Sequence, residues 1–208
     1  METVLIAGAN GTTGRKIANL LSESKDYQPI AMVRKEEQVD HFKSLGIETV
    51  LGDLEKNISH AVKGVDKLIF AAGSGGKKVV EVDQEGAKKM IDASVDLGVK
   101  KFVMLSSMGA DTPEKGGDLK DYLKAKQNAD IHLRKSGLDY TIVRPGTLTN
   151  EGGLNYIELK EKLGESGEIS RADVAETLVD CLADGVAEKA TFEIIKGETL
   201  IKEAVKKV

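Results

Sequence analysis

Apolar runs of strand length recur along the chain at Val4 to Ala7, Pro29 to Val33, Glu48 to Leu51, Lys67 to Ala72, Lys101 to Leu105 and Tyr140 to Arg144. Between them, Gly14 to Ser24, Lys35 to Leu45, Lys78 to Leu97 and Asp118 to Ser136 place apolar residues three and four apart, the spacing of one helix face. Strands alternating with helices predict right-handed βαβ crossovers. The expected fold is therefore α/β, a doubly wound parallel sheet with helices on both faces. Gly46, Gly98 and Gly137 each follow a predicted helix and precede a strand, where a left-handed residue is wanted.

After Arg144-Pro145-Gly146 the alternation stops. Residues 147–170 are rich in glycine, charge and turn formers, with one predicted strand near Leu154 to Leu159, and read as a substrate-side loop region or lid. Ser170 then caps a helix, a strand follows at Ala190 to Ile195, and a last helix runs from Glu198. With 208 residues and no repeat or low-complexity linker, the expectation is one domain, residues 1–208, in which 147–208 form a small substrate-side elaboration.

Charge and cysteine content narrow the function class. Thirty basic and 34 acidic residues, well interspersed for a net charge of -4, leave no electrostatic footprint for nucleic acid or an anionic membrane. The pairs Lys77-Lys78, Lys100-Lys101 and Lys206-Lys207 read as solvated ends of elements. Cys181, the one cysteine, shares an apolar helical stripe with Val174, Leu178 and Leu182 and reads as a buried thiol. No run approaches membrane-spanning length and no leader pattern precedes the first strand, so a cytoplasmic protein is expected. His41, His60 and His132 are scattered and suggest no metal site, and the absence of a Gly-x-Ser-x-Gly elbow removes the hydrolase readings.

The candidate chemistry starts at Gly8-Ala9-Asn10-Gly11-Thr12-Thr13-Gly14, which lies between the first strand and the first helix. Glycines there let the backbone turn tightly and approach a ligand, while the open N–H groups and positive dipole end of the helix face an anion. A dinucleotide pyrophosphate suits such a site. The spacing is G-x-x-G-x-x-G, and no G-K-[ST] closes it as a P-loop would.

In a dinucleotide fold, an acid about 20 residues past the glycines binds the 2′-hydroxyl of NAD. This chain offers Arg34 and Lys35 instead, which favours the 2′-phosphate of NADP over NAD, unless Arg34 merely begins a solvated helix. Asp53, in Gly52-Asp53-Leu54, stands either as an acceptor for the adenine amino group or as a helix N-cap. Ala71, Ala72 and Gly73 are small enough for their backbone to lie against a cofactor, or are simply a tight turn.

A second constellation pairs Ser106-Ser107, at the end of the fifth strand, with Tyr122 and Lys126 on the next helix. Four residues apart, Tyr122 and Lys126 share one face, and an ammonium near a phenol favours the phenolate and so eases acid/base work. A strand-end serine can hold the substrate oxygen. The competing reading is an ordinary surface pair on a lysine-rich helix.

With the glycine loop, the serines, Tyr122-x-x-x-Lys126 and the stretch Ser136-Gly137-Leu138-Asp139-Tyr140-Thr141-Ile142-Val143-Arg144-Pro145-Gly146 all in order, the chain resembles a short-chain dehydrogenase/reductase. More narrowly it resembles the atypical NAD(P)H-binding, NmrA-like or epimerase/dehydratase-like subgroup. The resemblance covers nearly the whole chain and implies a Rossmann-type sheet. It further implies cofactor phosphates on Gly8, Gly11, Thr12, Thr13 and Gly14 with Asn10 in the loop, a 2′-phosphate on Arg34, and nicotinamide near Ser106, Ser107, Tyr122, Lys126, Pro145, Thr147 and Leu148. Tyr122 would be the acid/base, Lys126 would hold the ribose and assist Tyr122, and Ser107, or alternatively Ser106, would orient the carbonyl. Many members use an asparagine on the fourth helix in a proton relay; Lys78 to Leu97 has none.

These readings lead to an NADP-dependent oxidoreductase acting on a small carbonyl or hydroxyl compound. A non-catalytic NADP(H) sensor acting on a protein partner is the alternative, favoured by the missing asparagine. A nucleotide-sugar epimerase or dehydratase would need a larger substrate part than the residues after Pro145 provide.

Overall fold

The computed structural model describes residues 1–208. In chain order the strands and helices are β1 (Glu2–Ala7), α1 (Thr12–Ser22), β2 (Tyr27–Val33), α2 (Val39–Lys43), β3 (Glu48–Leu51), α3 (Ser59–Val62), β4 (Lys67–Phe70), α4 (Glu85–Asp96), β5 (Lys101–Leu105), α5 (Lys120–Lys135), β6 (Asp139–Pro145), β7 (Thr147–Thr149), β8 (Tyr156–Lys160), β9 (Glu168–Ser170), α6 (Arg171–Asp180), β10 (Ala190–Lys196), β11 (Thr199–Leu200) and α7 (Ile201–Ala204). Nine strands form one sheet in the order β11-β8-β10-β6-β5-β4-β1-β2-β3, and β7 pairs with β9 as a separate parallel ribbon. From β3 to β10 all neighbours are parallel; β8 and β11 add antiparallel partners at the far edge. Strand order reverses between β1 and β4, which opens a crevice at the strands' carboxyl ends.

Alternation within each strand divides the core into two layers. Val4 and Ile6 of β1 enter a cluster with Ile17, Leu21, Leu178 and Phe192, while Leu5 and Ala7 enter one with Phe70, Met90, Phe102 and Leu133. Each fully buried Val, Leu, Ile, Phe or Met among them contributes about 1.5–3 kcal/mol of transfer free energy. Gly46, Gly98 and Gly137 have φ of 71°, 72° and 84°, as their places after helices predict. Cys181 is fully buried, and its thiol is pushed up by desolvation.

Several local features differ from the pattern reading. Gln38 Oε1 accepts the N–H groups of both Arg34 and Lys35, tightening Glu36–Gln38 into a 3₁₀ turn and leaving only Val39–Lys43 as α-helix. The fourth helical segment opens with a π-helical turn, Val79–Gln84, before α4 begins. β4 ends at Phe70, and just beyond it the Ala71–Ala72 backbone packs against Gly8. Residues 147–170 hold three strands, β7, β8 and β9, with Thr147 N–H bonded to Gly167 O. Lys101 is not solvated: it and Lys67 are each 1% exposed at the amino ends of β5 and β4. Lys67 bonds Leu182 O, Glu2 and Asp184, and Lys101 bonds Ala183 O and Val186 O, so the two ammonium groups tie the α6–β10 connection to the sheet edge opposite the crevice.

Candidate cofactor and catalytic site

Register brings the candidate residues to one level. Ala7 pairs with Met32 and with Phe70, so the turn after β1, Arg34 after β2 and Ala71 after β4 leave the sheet side by side. Gly8 has φ 89°, and a Cβ there would stand 2.5 Å from Ala72 Cα. A Cβ on Gly14 would stand 2.1 Å from Gly8 O, so this glycine lets α1 press against the turn. Gly11 is different: its Cβ would lie 3.3 Å from Gly8 O, facing otherwise open space.

Gly11 is also the N-cap of α1 and supplies no side-chain cap. The N–H groups of Thr12, Thr13 and Gly14 therefore lack the partner that a serine or aspartate cap gives. Arg15 secures the loop by donating to Asn10 Oδ1 at 2.7 Å and Asn10 O at 3.3 Å. Uncapped donors, a positive dipole end and a cradle that side chains would fill suit a dinucleotide pyrophosphate.

Arg34 is exposed just past β2 and its guanidinium makes no ion pair, whereas Lys35 is drawn to Glu37 at 3.1 Å. Asp53 accepts the Glu55 N–H at 3.1 Å within a turn; it is not a helix cap, since α3 starts only at Ser59. Leu54 is buried with its carbonyl bonded to Lys89, so its side chain belongs to the core under α4.

At the other side of the crevice, Lys126 Nζ lies 5.7 Å from the centroid of the Tyr122 ring and donates to Leu105 O at 3.1 Å. Ser107 is half-buried and its hydroxyl rests on Met108 O at 3.2 Å, a weak bond that a ligand can displace. Ser106 is buried and its Oγ makes no hydrogen bond. Pro145 accepts the Met108 N–H, Leu148 O accepts from Arg171, and the Thr147 N–H is used by Gly167, so the β6–β7 backbone is held in place beside Ser107.

Three acids escaped the sequence reading. Asp83, 1% exposed, points Oδ1 at Lys126 Nζ from 3.9 Å and accepts the Ser74 N–H at 3.0 Å. Its signal was an acid set within a valine-rich segment straight after the fourth strand's turn. Asp130, fully buried, receives two hydrogen bonds from Arg144, at 2.8 and 3.0 Å, while burial raises its carboxyl above the usual range. Tyr122, Lys126 and Asp130 form a stripe at i, i+4 and i+8, which was legible. Asp173 accepts from Leu154 N–H, Asn155 N–H and Ser170 Oγ and so shapes the 150–155 turn.

Lys162 pairs with Asp111, and Leu163 N–H donates to Glu193, which seats the 161–167 turn near the 108–117 loop. A cavity of about 410 Å³ between α1 and α6, lined by Lys16, Asn19, Asp173 and Glu176 among others, includes none of the Tyr122, Lys126 or Ser107 group. No cluster of metal-ligating side chains is present.

A family model described as NAD(P)H-binding matches residues 8–185. The chain belongs to this NAD(P)H-binding family. Within the family it is 42% identical over 213 residues to a Bacillus subtilis protein named as an uncharacterized sugar epimerase, covering 99% of both chains. A solved Bacillus halodurans structure, named for an NAD-dependent epimerase/dehydratase, superposes with TM-score 0.94 at 36% identity and covers 100% of both chains. A Lactococcus lactis structure named as an oxidoreductase gives TM-score 0.89 at 34% identity, covering 99% of this chain and 96% of that one. Membership and the Rossmann-like sheet agree with the resemblance to atypical short-chain dehydrogenases/reductases. No helix is long and apolar enough to cross a membrane.

Proposed function

We propose that the protein is an NADP-dependent oxidoreductase of the cytoplasm, acting on a carbonyl or hydroxyl group of a small compound. The observation that carries this reading is the buried Lys126, whose ammonium lies 5.7 Å from the Tyr122 ring centroid and donates to Leu105 O, two residues before Ser107, together with the uncapped glycine loop that opens α1. Gly8, Gly11, Thr12, Thr13 and Gly14 would hold the pyrophosphate, and the unpaired Arg34 would meet the 2′-phosphate. When bound, the nicotinamide supplies or accepts the hydride. Ser107 Oγ, once released from Met108 O, orients the substrate oxygen by a hydrogen bond. Tyr122 Oη gives that oxygen a proton in the reducing direction and takes one back in the oxidising direction. Lys126 holds positive charge next to the ring and so stabilises the phenolate formed when the proton leaves.

The name of the Bacillus subtilis relative favours a second reading, epimerisation of a sugar. Residues 146–208 also supply β8, β10 and β11 of the main sheet together with α6 and α7, which limits the material left to enclose a nucleotide-sugar. A panel of quinones, aldehydes and ketones assayed for NADPH consumption, run beside nucleotide-sugars assayed for epimerisation without net consumption, separates the two. Tight NADPH binding with no turnover of either panel, and different affinities for NADP and NADPH, would instead support a redox sensor with a protein partner.

A further inference from the structure

Lys126 is 4% exposed, yet its ammonium, which carries three donors, makes one hydrogen bond, to Leu105 O. The acid that faces it, Asp83, stands 3.9 Å away. That distance is too long for a hydrogen bond and short enough for strong Coulomb attraction in a buried setting. Asp83 thus offsets the charge of Lys126 without occupying its N–H groups. The other carboxylate oxygen, through Ser74 N–H, fastens the turn whose Ala72 packs on Gly8. The π-helical turn of Val79–Gln84 delivers Asp83 to this point, and such irregular turns concentrate at functional sites.

We propose that Asp83 is the positioning residue of the site: its carboxylate offsets the charge of Lys126 from 3.9 Å while leaving two N–H groups free for the cofactor ribose and the Tyr122 side of the crevice. This rests on the reading that a nicotinamide dinucleotide binds here. The charged or titratable groups at Lys126 are Asp83 from the π-helical turn and Tyr122 from α5; one turn further along α5, Asp130 is paired with Arg144 of β6, and β5 contributes only the uncharged Leu105 carbonyl. Asp130 is already matched by Arg144, so Asp83 is the countercharge available to Lys126. In a variant without it, burial alone acts on the ammonium and disfavours its charged form. Cofactor affinity then falls as pH rises.

The test is a cycle of Asp83→Asn, Lys126→Met and the double variant, with NADPH affinity read by fluorescence titration from about pH 6 to about pH 9, so that no turnover is needed. Asparagine keeps an acceptor for Ser74 N–H. Asp83→Asn should weaken NADPH by about tenfold at the alkaline end and by about threefold or less at the acid end, following the loss of charge on a buried lysine. The double variant should bind no worse than Lys126→Met. A loss of the same size at every pH, or the same further loss when Lys126 is already methionine, overturns the proposal. If Asp83→Asn fails to fold but the double variant folds, the uncompensated ammonium is the cause and the proposal stands; if both fail, the carboxylate is needed for the turn itself and the proposal falls. Wild type that binds neither NADPH nor NADH would overturn the cofactor reading along with this one.

Discussion

Gly14 and Gly8 meet so closely that any Cβ on Gly14 would stand 2.1 Å from the Gly8 carbonyl oxygen, whereas one on Gly11 would stand 3.3 Å from the same atom. Glycines that look equivalent in the motif therefore have different tasks. Gly14→Val should lower the melting temperature sharply, because backbone must move on both sides of the contact, a strain of about 1–3 kcal/mol or more. Gly11→Val should leave the melt nearly unchanged and abolish NADPH binding, because its side chain would enter the path of the pyrophosphate. Thermal melts and cofactor titrations on both variants check this. A Gly11→Val protein that still binds NADPH would remove the loop from the site.

Arg34 supplies the second prediction. Its guanidinium is exposed and unpaired, while the neighbouring Lys35 is engaged by Glu37. Calorimetry should find NADPH bound more tightly than NADH by about tenfold or more, the scale of a charge-assisted pair worth about 1.5–3 kcal/mol. Arg34→Ala should erase most of that preference and leave NADH affinity alone. Equal affinities in the wild type would end the case for NADP.

Much of this architecture was legible because it is written in local pattern. Apolar runs at Val4 to Ala7 and Lys101 to Leu105, and glycines such as Gly98 closing helices, specify the alternating sheet without reference to distant contacts. The Tyr122–Lys126 pair was legible for the same reason, since four residues make one helical turn. What local pattern could not carry was the partnering of buried charge. Lys101 read as a solvated lysine because its acceptors, Ala183 O and Val186 O, lie more than 80 residues away. Asp83 stayed hidden because its importance depends on Lys126, an element further along the chain and reached only when α5 packs on the π-helical turn.

The end of the sheet away from the crevice carries a pH-dependent prediction. Asp66 accepts the Thr3 N–H at 2.9 Å and its hydroxyl at 3.0 Å and pairs with Lys100, which together hold its carboxyl at about 2, against an ordinary 3.8. A folded-state value below the unfolded one means that the stabilisation is fully present above about pH 4 and is lost as pH falls through about 2. The melting-temperature gap between wild type and Asp66→Asn should thus be constant near neutrality and shrink as the solution is acidified towards pH 2. Should the gap stay constant to the acid end, the side chain would be acting only as a neutral acceptor for Thr3.

Chemistry is tested most directly at Tyr122. The ring is half-buried over Lys126, and its hydroxyl has no hydrogen-bond partner in the protein, so Tyr122→Phe removes a proton carrier without orphaning a buried group. Turnover of whichever carbonyl the substrate panel yields should fall by about a hundredfold or more, the usual scale for a positioned acid/base, while NADPH affinity stays within about twofold. Lys126→Ala should behave differently. That substitution empties a buried site beside Asp83 and Leu105, so turnover and NADPH affinity should fall together. Kinetics with measured cofactor affinity on both variants distinguish the roles. If Tyr122→Phe retains turnover, the proton reaches the substrate from another donor, and Ser107, whose hydroxyl is held only by a 3.2 Å bond to Met108 O, would be the group to replace next.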